Sequence, residues 1–221
     1  GWLGEGLRIL VADTGFMKSH VSIKDLVIAD EHDFVNNDDD TEDTASESND
    51  DHGTTVIGIL GGYYPGTMVG VVPNAEFLLA KTEVTGVDFA GEEDNFIAAL
   101  EWGEKKGALV CSSSLGFPFD RPFAQMDGKT TPSTIAVNTA SLLGMVVVVS
   151  AGNLGTDGIV PPSDSPMAIA VGSVNSTSHL QEFSGCGPSY DGRVKPELLA
   201  PGVSITTPDS LSTTSFNNYS G

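Results

Sequence analysis

The chain is poor in cysteine, in positive charge and in long apolar runs, and each scarcity excludes a class of protein. Two cysteines, Cys111 and Cys186, cannot make the disulfide framework of a small secreted domain, and neither stands at a metal-ligand spacing. Cys111 ends the apolar run Ala108-Leu109-Val110-Cys111 and reads as a buried free thiol, with a Cys111–Cys186 bridge as the alternative. Lys and Arg number 10 against 30 Asp and Glu, a formal charge of -20. Such a surface repels phosphate backbones, which argues against nucleic acid as a partner, and it favours solubility. The longest apolar run, Met145 to Val149, is too short to span a bilayer, so no membrane role is expected.

What is present is glycine, 26 residues of it, and a repeated alternation of short apolar runs with helical stretches. Leu7 to Ala12, Phe77 to Lys81, Ala108 to Ser113 and Met145 to Ser150 read as buried strands, with shorter ones at Ala168 to Val171 and Leu198 to Ala200. Thr55 to Leu60 reads as helix. So does Glu92 to Lys106, with acids in its first turn, lysines in its last and Gly107 beyond. Thr131-Pro132 opens a third helix, Thr as N-cap and Pro at the first position, with Ile135, Ala136, Ala140 and Leu143 as its apolar face. Strands apolar on both sides, alternating with helices, define an α/β fold: three layers, a mostly parallel central sheet with helices on both faces. The 221 residues suffice for one domain, and no repeat or linker divides them.

Ligands bind beyond the carboxyl ends of strands in open parallel sheets. The residues there are Asp13-Thr14-Gly15, Ser114-Leu115-Gly116 and Ala151-Gly152-Asn153. Singly, Asp13 and Asn153 read as turn formers and His52, in Asp51-His52-Gly53-Thr54-Thr55, as a solvated helix start. Together they supply what a serine hydrolase needs besides its nucleophile. His52 can serve as general base, Asp13 as the carboxylate that orients it, and Asn153 as a donor for the developing oxyanion.

On these residues the chain resembles the subtilases, the subtilisin-like serine peptidases. Leu10-Val11-Ala12-Asp13-Thr14-Gly15 resembles the family's aspartate motif, and His52-Gly53-Thr54-Thr55-Val56-Ile57-Gly58 its histidine motif. Gly70 to Ala75 followed by Leu79-Ala80-Lys81 resembles the approach to the next core strand. Ser114-Leu115-Gly116 resembles the substrate-binding strand, Ser150-Ala151-Gly152-Asn153 the oxyanion motif, and Ala200-Pro201-Gly202-Val203 the turn upstream of the serine. The likeness runs along nearly the whole chain in the family's Asp, His, Ser order. Thr55 replaces the motif's second His, which is not the base. Phe117 stands where many relatives have Gly, and its ring is expected to narrow or re-aim the substrate groove.

The resemblance implies a serine endopeptidase acting on polypeptide substrates, secreted, monomeric and made with a propeptide. It assigns Asp13, His52 and Asn153 to catalysis, and Ser114, Leu115, Gly116, Ala151 and Gly152 to substrate binding. Tyr219-Ser220-Gly221 runs toward the nucleophile, expected two residues past Gly221. Residues 1–221 are therefore expected to be an incomplete peptidase domain, without the helix that carries the serine and inactive alone. No cofactor is required for this chemistry. Structural calcium is a further expectation, because Asp38, Asp39, Asp40, Glu42, Asp43, Glu47, Asp50 and Asp51 form a dense acidic loop without the spacing of an EF-hand. Ser112 to Ser114 are read as strand hydroxyls rather than nucleophiles, and His20, His32 and His179 as surface residues. The alternatives are a non-catalytic relative serving as binding or scaffold domain, and a nucleotide-binding α/β protein, which would need a Gly-rich phosphate loop that the first strand lacks.

Overall fold

The computed structural model describes residues 2–42, 52–84 and 91–221. In chain order its elements are β1 (Arg8–Asp13), β2 (Val27–Asp33), α1 (His52–Gly61), β3 (Tyr63–Tyr64), β4 (Met68–Val69), β5 (Glu76–Lys81), α2 (Gly91–Lys105), β6 (Val110–Ser113), α3 (Pro132–Leu142), β7 (Val146–Ser150), β8 (Ile169–Val174), β9 (Leu198–Pro201), β10 (Ile205–Pro208) and β11 (Phe216–Tyr219). Seven strands pair in the order β2-β5-β1-β6-β7-β8-β9, every pair parallel. The strands β3–β4 and β10–β11 form two antiparallel hairpins outside that sheet.

Period-2 alternation divides the core into two layers. Leu10 and Ala12 of β1, with Leu78 and Ala80 of β5, face α2 and α3, where Phe96, Leu100 and Val137 close the larger cluster. Ile9 and Val11, with Phe77 and Leu79, face α1 and pack on Ile57. The three-layer reading holds, and the parity has a direct consequence for Asp13. As the next odd position of β1, it turns its side chain to the α1 side.

Local structure departs from expectation in three places. Thr131 is extended, φ -77 and ψ 144, before Pro132, but its hydroxyl does not cap the helix. It donates instead to the Thr134 hydroxyl, which donates to the buried Asp164 carboxylate. That network also rotates α3. Its buried face is Ser133, Thr134, Val137 and Ala140, while Ile135 and Leu143 stand in solvent. A buried hydroxyl is tolerated when it is hydrogen-bonded, so Thr134 takes a place that hydropathy assigns to a larger apolar residue. In α2 the acids of the first turn are not a solvated cap: Glu92 and Glu93 are buried.

Candidate active site

Two elements meet to build the site. β1 ends at Asp13, and α1 opens at His52 on the same face of the sheet. Asp13 is fully buried. Its Oδ1 accepts from the Thr14 amide at 2.9 Å, the Thr14 hydroxyl at 3.2 Å and His52 Nδ1 at 2.6 Å. A carboxylate only accepts, so Nδ1 carries the proton and Nε2 is the basic nitrogen of the ring. Thr14 Oγ1 in turn accepts from the Gly53 amide at 3.1 Å, which ties the start of α1 to the aspartate loop. The approach is close: a Cβ on Gly53 would lie 2.1 Å from the Gly15 carbonyl oxygen, so only glycine fits beside His52. The Tyr219 ring stands edge-on to the imidazole, centroids 6.1 Å apart.

His52 lines a cleft of about 450 Å³ whose wall also includes Ser112, Ser113, Ser114, Gly152, Asn153 and Tyr219. The remaining expected substrate residues are divided between surface and core. Gly116 is exposed and the side chains of Leu115 and Ala151 are buried, and none of these three is part of the cleft wall. β6 stops pairing at Ser113, and among the described residues the main chain of Ser114 to Gly116 makes no backbone hydrogen bond. Such a segment can pair with an added strand. Gly152 adopts φ +88 and a Cβ there would meet Val160 Cγ2 at 2.7 Å, so the turn into Asn153 requires glycine on both grounds. Asn153 itself is exposed.

Two expectations are corrected, those for Phe117 and His20, while Ser113 and the cysteines keep the character expected of them. Phe117 does not project into the groove; it is 1% exposed and packs against Phe96 and Phe119, so its ring belongs to the core. His20 is no surface residue but fully buried, bonded through Nδ1 to the Ser22 hydroxyl and through Nε2 to the Ser215 carbonyl. Ser113 Oγ is buried without a hydrogen-bond partner among the described residues. The free-thiol reading of Cys111 holds over the alternative bridge: both cysteines are free, and burial pushes the Cys111 thiol up to about 12.

The loop after Gly116 is anchored by a pair the sequence reading passed over. Arg121 makes a two-pronged contact with Glu93 at the start of α2 and also donates to the Phe117 carbonyl at 2.9 Å. Glu93 further accepts from the Ser133 amide at 3.0 Å. Burial pushes the Glu93 carboxyl up, but the bonds from Arg121 and Ser133 outweigh it and hold the group below its ordinary value.

Half of the acidic loop, residues 43–51, lies outside the described residues. In the described half, Asp40 and Glu31 bind Lys18, Asp39 binds His32, and Glu42 accepts from Ser19. Among the described residues the one His, Cys, Asp and Glu group spaced to hold an ion is Asp13, His52 and Glu83, one ligand atom of each within 4.8 Å of the others. An ion on His52 Nδ1 would have to displace its bond to Asp13, so the trio reads first as a charge cluster around the base. Glu83 was not singled out in the sequence. Only the strand register reveals it.

The fold and the buried Asp–His pair define an α/β protein with its candidate site at the carboxyl end of a parallel sheet. Solved structures share that fold: a mutant of the protease domain of PatA, at TM-score 0.80 and 21% identity, covering 100% of this chain and 74% of that one. The prenylagaramide maturation protease PagA follows at 0.74 and 19%, covering 97% and 69%. The subtilase family model matches residues 4–221, and the chain belongs to the subtilase family. Among its relatives, the alkaline protease of Alkalihalobacillus alcalophilus is 32% identical over 206 residues, 93% of this chain and 47% of that protein. Subtilisin BL of Lederbergia lenta is 32% identical over 93% of this chain and 67% of its own length. The major intracellular serine protease of Bacillus subtilis (strain 168) is 32% identical over 93% and 60%. The chain thus spans between about half and two thirds of these proteins. Among the described residues no helix is long and apolar enough to cross a membrane.

Proposed function

We propose that the protein is a serine endopeptidase in which Asp13 and His52 serve a serine nucleophile lying two residues past Gly221. The observation that carries this reading is the 2.6 Å bond from His52 Nδ1 to the buried Asp13, at the edge of a cleft large enough for a peptide segment. His52 takes the nucleophile's proton through Nε2 and returns it to the leaving amine. Asp13 keeps the tautomer and stabilises the imidazolium that forms. The Asn153 amide and the nucleophile's own N–H receive the oxyanion. The substrate lies along Ser114 to Gly116 as an added strand, with Gly152 in the adjoining wall and the main chain of Ala151 supporting it. Residues 1–221 alone are inactive on this reading, because the nucleophile and one oxyanion donor are outside them.

The test is to express the full-length gene product, assay it on a peptide library, and map the adduct of a serine-directed covalent inhibitor by mass spectrometry. A covalent adduct on the residue two past Gly221, with turnover, is expected. No turnover and no adduct would favour the alternative of a binding or scaffold domain. The same proposal includes a propeptide, a monomeric state, secretion and structural calcium. Secretion is supported by the acidic charge and the family, while one relative is named as intracellular, so the product is to be sought in both culture medium and lysate. Calcium rests on the acidic segment Asp38 to Asp51 or a nearby loop, and a native-state ligand must raise the melting temperature. Identical melting curves in chelator and in excess calcium would retire it.

A further inference from the structure

Resting on the peptidase reading of His52, we propose that Glu83 is a positioning residue: its carboxylate stands beside that of Asp13 at the His52 imidazole and raises the pH at which the ring takes up a proton.

The placement follows from the sheet. Lys81 stands opposite Asp13 in the β1–β5 register, and the Thr82 amide extends the ladder by donating to the Asp13 carbonyl at 2.9 Å. Phe77 and Leu79 face α1, and Glu83 has their parity. It is thus carried past the end of β5 onto the face where His52 stands, while Thr82 turns the other way and is buried. The result is one carboxylate oxygen within 4.8 Å of both a ring nitrogen of His52 and an oxygen of Asp13, with Glu83 and His52 each half-buried.

The charged and titratable groups facing the ring come from each packed element. Asp13 lies on β1, Glu83 beyond the end of β5, and Tyr219 on β11, while Lys81 is the register partner of Asp13 at the end of β5. The Lys81 charge also reaches Asp40, which divides its influence. The remaining field is that of α1 itself. His52 is its first residue, and the positive end of a helix dipole opposes a protonated ring there. Asp13 answers only through Oδ1; its Oδ2 is buried without a hydrogen-bond partner among the described residues. A second anion beside Asp13 offsets the dipole in the state where His52 carries the abstracted proton. An opposite charge at this range favours the charged form, so the ring's pKa goes up. Removing the charge moves the titration down, and with it the acid limb of the rate profile, because the base must be neutral to act.

The experiment follows the His52 imidazole by NMR titration in the full-length protein, its signal assigned by its loss in His52→Gln. This readout does not depend on turnover, so it stands apart from the fate of the peptidase reading. In Glu83→Gln the midpoint should fall by about one pH unit, and Glu83→Asp should restore most of that shift. High salt should lower the midpoint of the unmodified protein toward that of Glu83→Gln, since a half-exposed partner is screened and the buried Asp13 is not. The acid limb of kcat/KM should move down by the same amount. A midpoint in Glu83→Gln unchanged or higher than in the unmodified protein overturns the proposal, as does a wild-type midpoint indifferent to salt. A merely structural role for Glu83 would loosen the fold without a downward shift that Asp restores.

Discussion

Two loops leave the carboxyl end of the same parallel sheet and flank the same cleft, yet they are held in opposite ways. In the Asp13 loop both main chain and side chains are fixed. Asp13 and Thr14 are buried, Oδ1 receives three donors, and the backbone of α1 presses on Gly15. In the Asn153 loop only the main chain is fixed. Ala151 N bonds the Val171 carbonyl at 3.0 Å, Gly152 N the Ser150 hydroxyl at 3.0 Å, and the Gly185 amide the Gly152 carbonyl at 2.8 Å. The Asn153 side chain is exposed and makes no hydrogen bond among the described residues. On the roles proposed above, the difference follows from what each group must meet. A general base and its orienting carboxylate find their partners inside the protein. An oxyanion donor has its partner only in the transition state, and a competing protein acceptor would weaken it.

If the first loop is a preassembled unit, its failure should be all-or-none. In the full-length protein His52→Ala should lower kcat by about 10⁶, as much as removing the nucleophile, a magnitude carried over from subtilisin rather than derived from this geometry. A double variant lacking both groups should be no slower than either single one. Steady-state kinetics that show multiplied losses would break the unit. The second loop should fail by degrees. Asn153→Ala should cost about 10² to 10³ in kcat with little change in KM, again the subtilisin magnitude. An unchanged kcat would mean that its exposed side chain is idle.

The two loops were also unequally legible. Asp13 and His52 follow from a strand end and a helix start read together with their chain order, since local residues carry both signals. Asn153 follows in the same way from the glycine turn after the most apolar strand. Glu83 does not, because nothing near it in sequence marks it. Its position depends on the pairing of Asp13 with Lys81, a non-local fact. The α3 face was misjudged because a satisfied hydroxyl at Thr134 counts as polar in any hydropathy pattern but is buried here. His20 was missed for the same reason, its partners Ser22 and Ser215 being a turn and a distant segment.

Between the two loops lies the segment after β6, and its anchor extends the contrast to stability. The Glu93–Arg121 pair is largely out of solvent, side chains 6% and 16% exposed. Arg121→Gln leaves the Glu93 carboxylate buried without its cation and should cost about 3 kcal/mol at neutral pH, toward the low end for broken buried pairs. The pH dependence has a definite sign. Glu93 is held below its ordinary value in the folded state, so the pair's contribution is complete above the ordinary carboxylate range. It is lost as pH falls through the lowered folded value. Melting curves of the two proteins should therefore differ most near neutrality and converge in acid. A gap that stays constant down to pH 3 would place the effect elsewhere than in this pair.

The smallest expected effect needs no loss of function, because a thiol stands in a segment paired with each loop's side of the sheet. Cys111 lies in β6, paired with Leu10 of the strand that ends in Asp13. Cys186 follows Gly185, whose amide holds Gly152, and its own amide bonds the Gly155 carbonyl at 3.1 Å. Cys111 is buried and its thiol is pushed up to about 12 by that burial; Cys186 is half-buried. The thiolate is the reacting form, so at neutral pH Cys111 presents roughly a thousandfold less of it than an ordinary cysteine, besides being out of reach. Alkylation followed by peptide mapping should label Cys186 in the native protein and Cys111 only after unfolding, since local opening is easier where fewer buried contacts must break. Activity should change little on labelling Cys186, because its Sγ donates to the main-chain carbonyl of Ser184, a cleft residue with no role assigned in the chemistry. Equal labelling rates at the two positions would mean that the Asp13 side opens as readily as the Asn153 side, and the contrast between a fixed and an open loop would fall with it.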